Sequence, residues 1–267
     1  MKNEILHNLP PEHPWGQNLI YFDCIDSTNT AARELAKQGA PSGTVLIADQ
    51  QTVGRGRLGR SFHSPGGFGL YFSLILRPSC HATELMHLTC AVAVAVCDAV
   101  EKSTGLRPGI KWTNDLVHGK KKLGGILTEL GLKSDGTVDY AIIGIGINCC
   151  HTESDFPDDI RSIAASLAMV TGTPTDRNHL AAALMEALYL MEQILLTGQE
   201  ELLTRYRKDC ITLGQEISLL RADGNVRHAK ALDIDGEGAL IVRYADGHIG
   251  TVTSGEVSVR GMYGYIP

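Results

Sequence analysis

Between Glu84 and Ser103 lies a twenty-residue stretch, ELMHLTCAVAVAVCDAVEKS, that is almost wholly apolar. A helix apolar on every side must be covered on every side, so this segment is expected in the middle of a domain. Its longest uninterrupted apolar run, Cys90 to Cys97, is too short to span a bilayer. The chain's 267 residues suffice for one large domain, or a domain and a half, around such a helix.

The flanking sequence supplies partners for that helix. DSTNTAARELAKQG (26–39) has Ser27 or Thr28 as a cap, an apolar face at Ala31, Leu35 and Ala36, and Gly39 at its end, and predicts a helix. GTVLIAD (43–49) and LYFSLILR (70–77) read as buried strands. Four more strands are expected at 110–112, 115–119, 124–130 and 138–148, two of them joined by the basic turn Gly119-Lys120-Lys121-Lys122. Helices are expected at 160–170, 177–197 and 199–210.

The texture changes after Cys210. Short strands alternate with Asp-Gly turns at Asp223, Asp235 and Asp246, the pattern of a small antiparallel barrel. The boundary is placed near 213, giving a larger unit, 1–212, and a small one, 213–267. About fifty residues fold marginally alone, so the small unit is expected to pack on the large one.

One loop stands out chemically. GRGRLGR (54–60) concentrates three arginines and three glycines in a chain of formal charge −6. Gly54, Gly56 and Gly59 match G-x-G-x-x-G literally, but SFHSPGG follows where a dinucleotide site needs a helix. No G-K-[ST] follows either. Arginine-glycine segments that bind RNA normally repeat and sit in basic chains, whereas this one occurs once. An ordinary solvated loop would not need three glycines, which cost backbone entropy. The reading that fits best is a clamp for a small anionic ligand, with guanidinium forks and exposed N–H groups meeting phosphate or carboxylate.

Four other stretches could share that site. KWTNDL (111–116) brings together Lys111, Asn114 and Asp115, although Asn-Asp is also an ordinary turn signal. KKLGGIL (121–127) places Lys122 close ahead of two glycines, where a basic hairpin turn is the plain alternative. GIGIN (144–148) ends a strand in glycines and Asn148, and DSTN (26–29) puts hydroxyls and an amide at a helix start, where capping alone would explain them. Together they have the logic of an adenylate-forming site.

These five blocks, in this order, resemble the biotin–protein ligases. The resemblance runs from Tyr21 to Arg260. It implies an α+β fold: a mixed, largely antiparallel central sheet flanked by helices, like class II aminoacyl-tRNA synthetases, with a small C-terminal SH3-like β-barrel. It implies that the biotin carboxylate attacks the α-phosphate of Mg-ATP, and that a lysine of a biotin carboxyl carrier protein then takes the biotinyl group. Lipoate ligases, which modify a carrier lysine from a similar domain, are the alternative.

Carried over by position, Ser27, Thr28, Asn29, Gln51, Gly54, Arg55, Gly56 and Gly125 are implied at biotin, with Leu127, Gly144 and Ile147 walling its apolar side. Arg57 and Arg60 are implied near phosphate, and Lys122 between the carboxylate and the α-phosphate. Phe62, Lys111, Asn114, Asn148 and Arg260 are implied at the nucleotide. Asp115 is the implied Mg2+ helper, with no tightly bound metal. Two positions depart from the family pattern: Thr113 replaces its usual proline, and Phe62 its usual tryptophan.

Seven cysteines without a C-x-x-C read as reduced thiols, and the N-terminus has no apolar signal region, so a cytoplasmic protein is expected. Cys149 and Cys150 read as small buried residues ending a strand. Only 26 residues precede Ser27, below the roughly 40 that fold unaided, so no DNA-binding domain is expected. The mild acidity argues against nucleic-acid or membrane partners. The edge of the central sheet is a surface for the carrier or for a homodimer, and no residue decides between them.

Overall fold

A computed structural model describes residues 1–221, 225–253 and 257–260, with Arg221 and 257–260 described by backbone alone. A seven-stranded sheet forms the frame, built from β1 (Leu19–Ile25), β2 (Thr44–Gln51), β3 (Gly69–Leu76), β4 (Gly109–Lys111), β5 (Asp115–His118), β6 (Lys121–Leu132) and β7 (Val138–Asn148). Its spatial order is β1-β2-β3-β7-β6-β5-β4. Only β1 and β2 run parallel; the other neighbours are antiparallel, so the sheet is mixed as expected. Sequence reading passed over β1. This edge strand is half-exposed and carries Asp23, so it lacks the apolar run that marks β3.

Among the described residues the α-helices are α1 (Lys2–Asn8), α2 (Thr28–Lys37), α3 (Leu88–Thr104), α4 (Asp158–Arg161), α5 (Leu167–Thr171), α6 (Arg177–Ile194) and α7 (Gln199–Asp209). The apolar segment is α3, preceded by a separate 3-10 turn over Ala82–Leu85, and eleven of its residues are buried. It ends where Gly105 turns left-handed at φ 73°. The sheet's two faces follow from strand alternation. Ile143, Ile145 and Ile147 of β7 join α3 in the main core. Tyr140 and Ile142 point the other way and pack with Ala32 and Ala36 of α2. The Ile142 face therefore also carries Gly144 and Gly146.

The helix expected over 160–170 is two short helices, α4 and α5. Between them the chain runs extended beside β6, where Lys122 N–H donates to Ile163 O at 2.7 Å and Ala165 N–H to Lys122 O at 2.9 Å. Cys149 is buried and Cys150 half-buried directly after β7.

The C-terminal strands are β8 (Glu216–Arg221), β9 (Val226–Ile234), β10 (Leu240–Tyr244), β11 (Ile249–Val252) and β12 (Val257–Arg260). They form an antiparallel sheet of order β11-β10-β9-β8-β12. The expected turn at Asp235 is present: its Oδ1 accepts from Glu237 and Ala239 N–H. The turn at Asp246 is closed by His248 N–H donating to its carboxylate. The turn at Asp223 lies outside the described residues. The small sheet leans on the large unit. Gly238 O accepts from the Trp112 indole at 3.0 Å, and Ile234 O accepts from the Arg207 guanidinium at 2.9 and 3.1 Å. Leu219, Ile234 and Leu240 belong to the same apolar cluster as α3.

Candidate active site

A cleft opens on the Ile142 face of the sheet. The head of α2 contributes Ser27, Thr28 and Asn29, and the end of β2 contributes Gln51. The arginine loop covers it with Arg55, Gly56, Arg57 and Phe62, while Asn114 and Lys122 line the side toward β5 and β6. Gly125, Leu127 and Gly144 form the floor. Most of the residues implied by the resemblance thus meet in one place.

The polar end is an interlocked hydrogen-bond network. Gln51 Oε1 accepts from Thr28 N–H at 2.9 Å and Thr28 Oγ1 at 3.1 Å, while its amide donates to Ser64 Oγ at 3.0 Å. Ser64 in turn donates to Phe62 O, which ties the base of the arginine loop to α2. Asn29 Oδ1 accepts from Ser73 Oγ at 2.7 Å, and its amide donates to Glu129 Oε2 at 3.1 Å and to Leu127 O. Asn29 therefore works chiefly as internal bracing. Gly144 makes room for it: a Cβ there would lie 2.0 Å from Asn29 Oδ1. Gly146 similarly accommodates the Phe62 ring.

The arginine loop is a small hairpin with internal order. Phe62 N–H donates to Gly54 O at 2.9 Å, Gly56 N–H to Arg60 O at 2.7 Å, and Arg55 and Ser61 form an isolated bridge. Gly54 belongs to this neck, where a Cβ would meet Phe62 O at 2.4 Å. Two side chains fasten the hairpin to the sheet. Arg55 forms a fork with Glu129, both contacts at 3.1 Å, and Arg57 Nη1 donates to Asn114 Oδ1 at 2.8 Å. Burial lowers the Arg57 pKa first of all, Asp115 opposes that shift, and Arg60 adds to it. A guanidinium remains charged through such a shift.

Lys122 is held from three directions. Its ammonium donates to Asp115 Oδ1 at 2.5 Å, and its carbonyl accepts from Ala165 N–H and from the Asn148 amide. Asp115 orients the lysine from just behind the cleft wall. Asn148 is buried and also donates to Ala165 O at 3.1 Å, so the structure gives it a bracing place beside Lys122.

Not every expected residue reaches the cleft. Ile147 lies three positions beyond Gly144, on the opposite face of β7, and is fully buried against α3. Strand alternation turns the Ile147 side chain away from the face that Gly144 opens. Lys111 is buried, and Arg60 is exposed at the hairpin's outer end. Arg260 falls on β12, and its side chain lies outside the described residues. Glu129 and Ser73 escaped the sequence reading. For Glu129 the two-residue spacing from Leu127 on β6 was the available signal.

An aromatic cluster gathers around His151. His151 stacks on Phe156 with centroids 4.8 Å apart, and His63 lies 6.2 Å away. Both ring nitrogens of His151 are buried without a hydrogen-bond partner. Burial, reinforced by His63, pushes its pKa down to about 4.

Residues 21–148 match the Biotin/lipoate A/B protein ligase family, and residues 212–260 match the biotin protein ligase C-terminal domain. The bifunctional ligase/repressor BirA of Bacillus spizizenii is 39% identical over 236 residues, covering 87% of this chain and 71% of that protein. The biotin–[acetyl-CoA-carboxylase] ligase of Mycobacterium tuberculosis is 29% identical, covering 86% of this chain and 85% of that one. The biotin protein ligase of Aquifex aeolicus, solved in complex with biotin and ATP, superimposes with a TM-score of 0.77 at 31% identity, over 91% of this chain and 99% of that one. The chain belongs to the biotin/lipoate protein ligase family, and its enzyme class is that of the ligases.

Proposed function

We propose that this enzyme joins biotin to AMP and passes the biotinyl group to a lysine of a biotin carboxyl carrier domain. In the first step a carboxylate oxygen of biotin bonds to the α-phosphorus of ATP, the bond to the bridging oxygen breaks, and pyrophosphate leaves. In the second, the neutral amine of the acceptor lysine attacks the anhydride carbonyl, loses a proton, and AMP leaves.

The observation that carries this reading is the cleft's electrostatics. Arg57 and Lys122 face a site whose other end is uncharged and polar, and none of its described lining residues is Asp, Glu, His or Cys. Such a cleft places no acidic, His or Cys side chain among its described lining residues to activate Ser27 or Thr28 as a nucleophile. It acts by holding two anions together and stabilising the charge that develops. Ser27, Thr28 and Gln51 suit the ureido group, while Leu127 and Gly144 flank an apolar tail. Lys122 stands between carboxylate and α-phosphate, and Arg57 toward the phosphates. Phe62 offers a ring to adenine.

The residues present fit Mg2+ that arrives with the nucleotide. Among the described residues no cluster of three acidic, His or Cys side chains could hold a metal, but Asp115 has a second oxygen beyond the one bonded to Lys122. Mg2+ typically keeps several waters and takes one or two protein carboxylates alongside phosphates. When bound it would neutralise phosphate charge.

Residues 1–212 form the activating unit in this reading, with 213–267 as a small unit resting on it. The match to the biotin ligase C-terminal domain favours biotin over lipoate. The acceptor is a carboxylase carrier domain, as the Mycobacterium tuberculosis relative's name indicates for that enzyme. The edge strand β1 offers a surface to this acceptor or to a second copy. Net charge −6 suits neither DNA nor an anionic membrane as a partner, and seven unpaired thiols suit the reducing cytoplasm. Biotin-dependent exchange of labelled pyrophosphate into ATP tests the first step. Exchange with biotin supports the reading, and its absence in folded protein with Mg-ATP overturns it.

A further inference from the structure

Glu129 is one carboxylate shared by three parts of the chain. It stands on β6 two residues beyond Leu127, on the same face, and its side chain is 22% exposed. Its Oε2 accepts from Arg55 Nη1 and from Asn29 Nδ2, both at 3.1 Å. Its Oε1 accepts from Arg55 Nη2 at 3.1 Å and from Arg33 Nη1 at 3.4 Å. The α2 head, the arginine hairpin and β6 therefore converge on a single acid that does not itself line the cleft.

The hairpin depends on such a hold. Arg55 is flanked by Gly54 and Gly56, so the backbone on either side has little stiffness of its own. The fork with Glu129 fixes both nitrogens of one guanidinium in one plane, a geometric constraint that a single ion contact lacks. Arg55 also spends that fork on the protein, which leaves the anion-facing work to Arg57 and Lys122.

We propose that Glu129 is the latch of the arginine loop. It is a positioning residue that acts through Arg55 to keep the hairpin over the cleft, and thereby sets how long the acyl-adenylate is retained. Retention rests on the activity proposed above; latching does not.

Limited trypsin digestion of the full chain reads the latch without any ligand. Cleavage after Arg57 and Arg60 is expected to be about fivefold faster in Glu129→Gln, the scale of losing one partly exposed forked ion pair. Arg33→Gln removes another partner of the same carboxylate from outside the loop, and its loop cleavage is expected to stay within about twofold of wild type. Arg55→Lys keeps the charge and the number of tryptic sites but loses the fork, and is expected to behave like Glu129→Gln. It decides the question if Glu129→Gln fails to fold. Loop cleavage at the wild-type rate in Glu129→Gln overturns the latch. So does equal acceleration in Arg33→Gln, which would mark a general loosening.

With biotin and Mg-ATP, Glu129→Gln is expected to release adenylate about fivefold faster, while single-turnover adenylate formation changes less than about twofold. Unchanged release alongside faster cleavage overturns the retention role. A wild type that forms no adenylate overturns the proposed activity instead, and the cleavage result still decides the latch.

Discussion

Lys122 carries most of the chemistry assigned to single residues. In the proposed reaction its ammonium lies between the two anions, and in the structure Asp115 holds it at 2.5 Å. Losing a preorganised transition-state donor costs about 2.7–4 kcal/mol, so Lys122→Ala is expected to slow adenylate formation by about 100-fold or more. A loss under about threefold would remove the lysine from its assigned place. Arg57→Ala is expected to speed escape of the adenylate, measured by trapping the released intermediate; unchanged escape would contradict its place at the phosphates. His151 makes a separate prediction about stability. Its folded pKa of about 4 lies below the ordinary 6.5, so between those values the unfolded chain binds more protons. Stability is therefore full above pH 6.5 and falls as pH drops toward 4, by at most about 3 kcal/mol. His151→Phe is expected to flatten that decline in melting temperature, and parallel curves for the two proteins would contradict it. Burial depresses His87 and His13 in the same direction, so the decline shrinks without vanishing.

At the scale of elements, strand alternation decides what can touch the ligand. Gly144 and Gly146 share the cleft face, and each leaves room for a neighbouring side chain, Asn29 and Phe62 respectively. Gly144→Ala is expected to displace Asn29, disturb its bonds to Ser73 and Glu129, and cost about 1–3 kcal/mol of stability, with weaker acid binding by calorimetry. Wild-type stability and affinity would show that Asn29 can move without penalty. The motifs were legible because loops and strand ends concentrate unusual residue types. Ile147 was misplaced because a motif read as a string ignores the two-residue period that turns every second side chain away. Glu129 went unnoticed because its partners lie 74 and 100 residues away in sequence. The break between α4 and α5 was equally hidden: its backbone bonds to Lys122 are tertiary, whereas local propensity favours a continuous helix.

Across the whole molecule, α3 explains the division of labour. Its largely apolar surface packs against the large sheet, α6 and α7 and joins part of the small sheet in one cluster, so the two units share one core. The change of texture after Cys210 marked the small sheet in the sequence, but not its docking, since the Trp112 indole and Gly238 carbonyl are 126 residues apart. A shared core predicts a single cooperative unfolding transition by calorimetry. Trp112→Phe, which leaves Gly238 O without that donor, is expected to cost about 1–2 kcal/mol within the same single transition. Two resolved transitions would show instead that the small sheet unfolds independently. The shared frame serves one cleft, and the central claim concerns the acid that this cleft activates. The most direct test is mass spectrometry of the protein incubated with Mg-ATP and, in separate reactions, biotin, lipoate or octanoate. Biotinyl-AMP from biotin, and no acyl-AMP from the other two, is the predicted result. Lipoyl- or octanoyl-AMP, or no adenylate from any of the three, would contradict it.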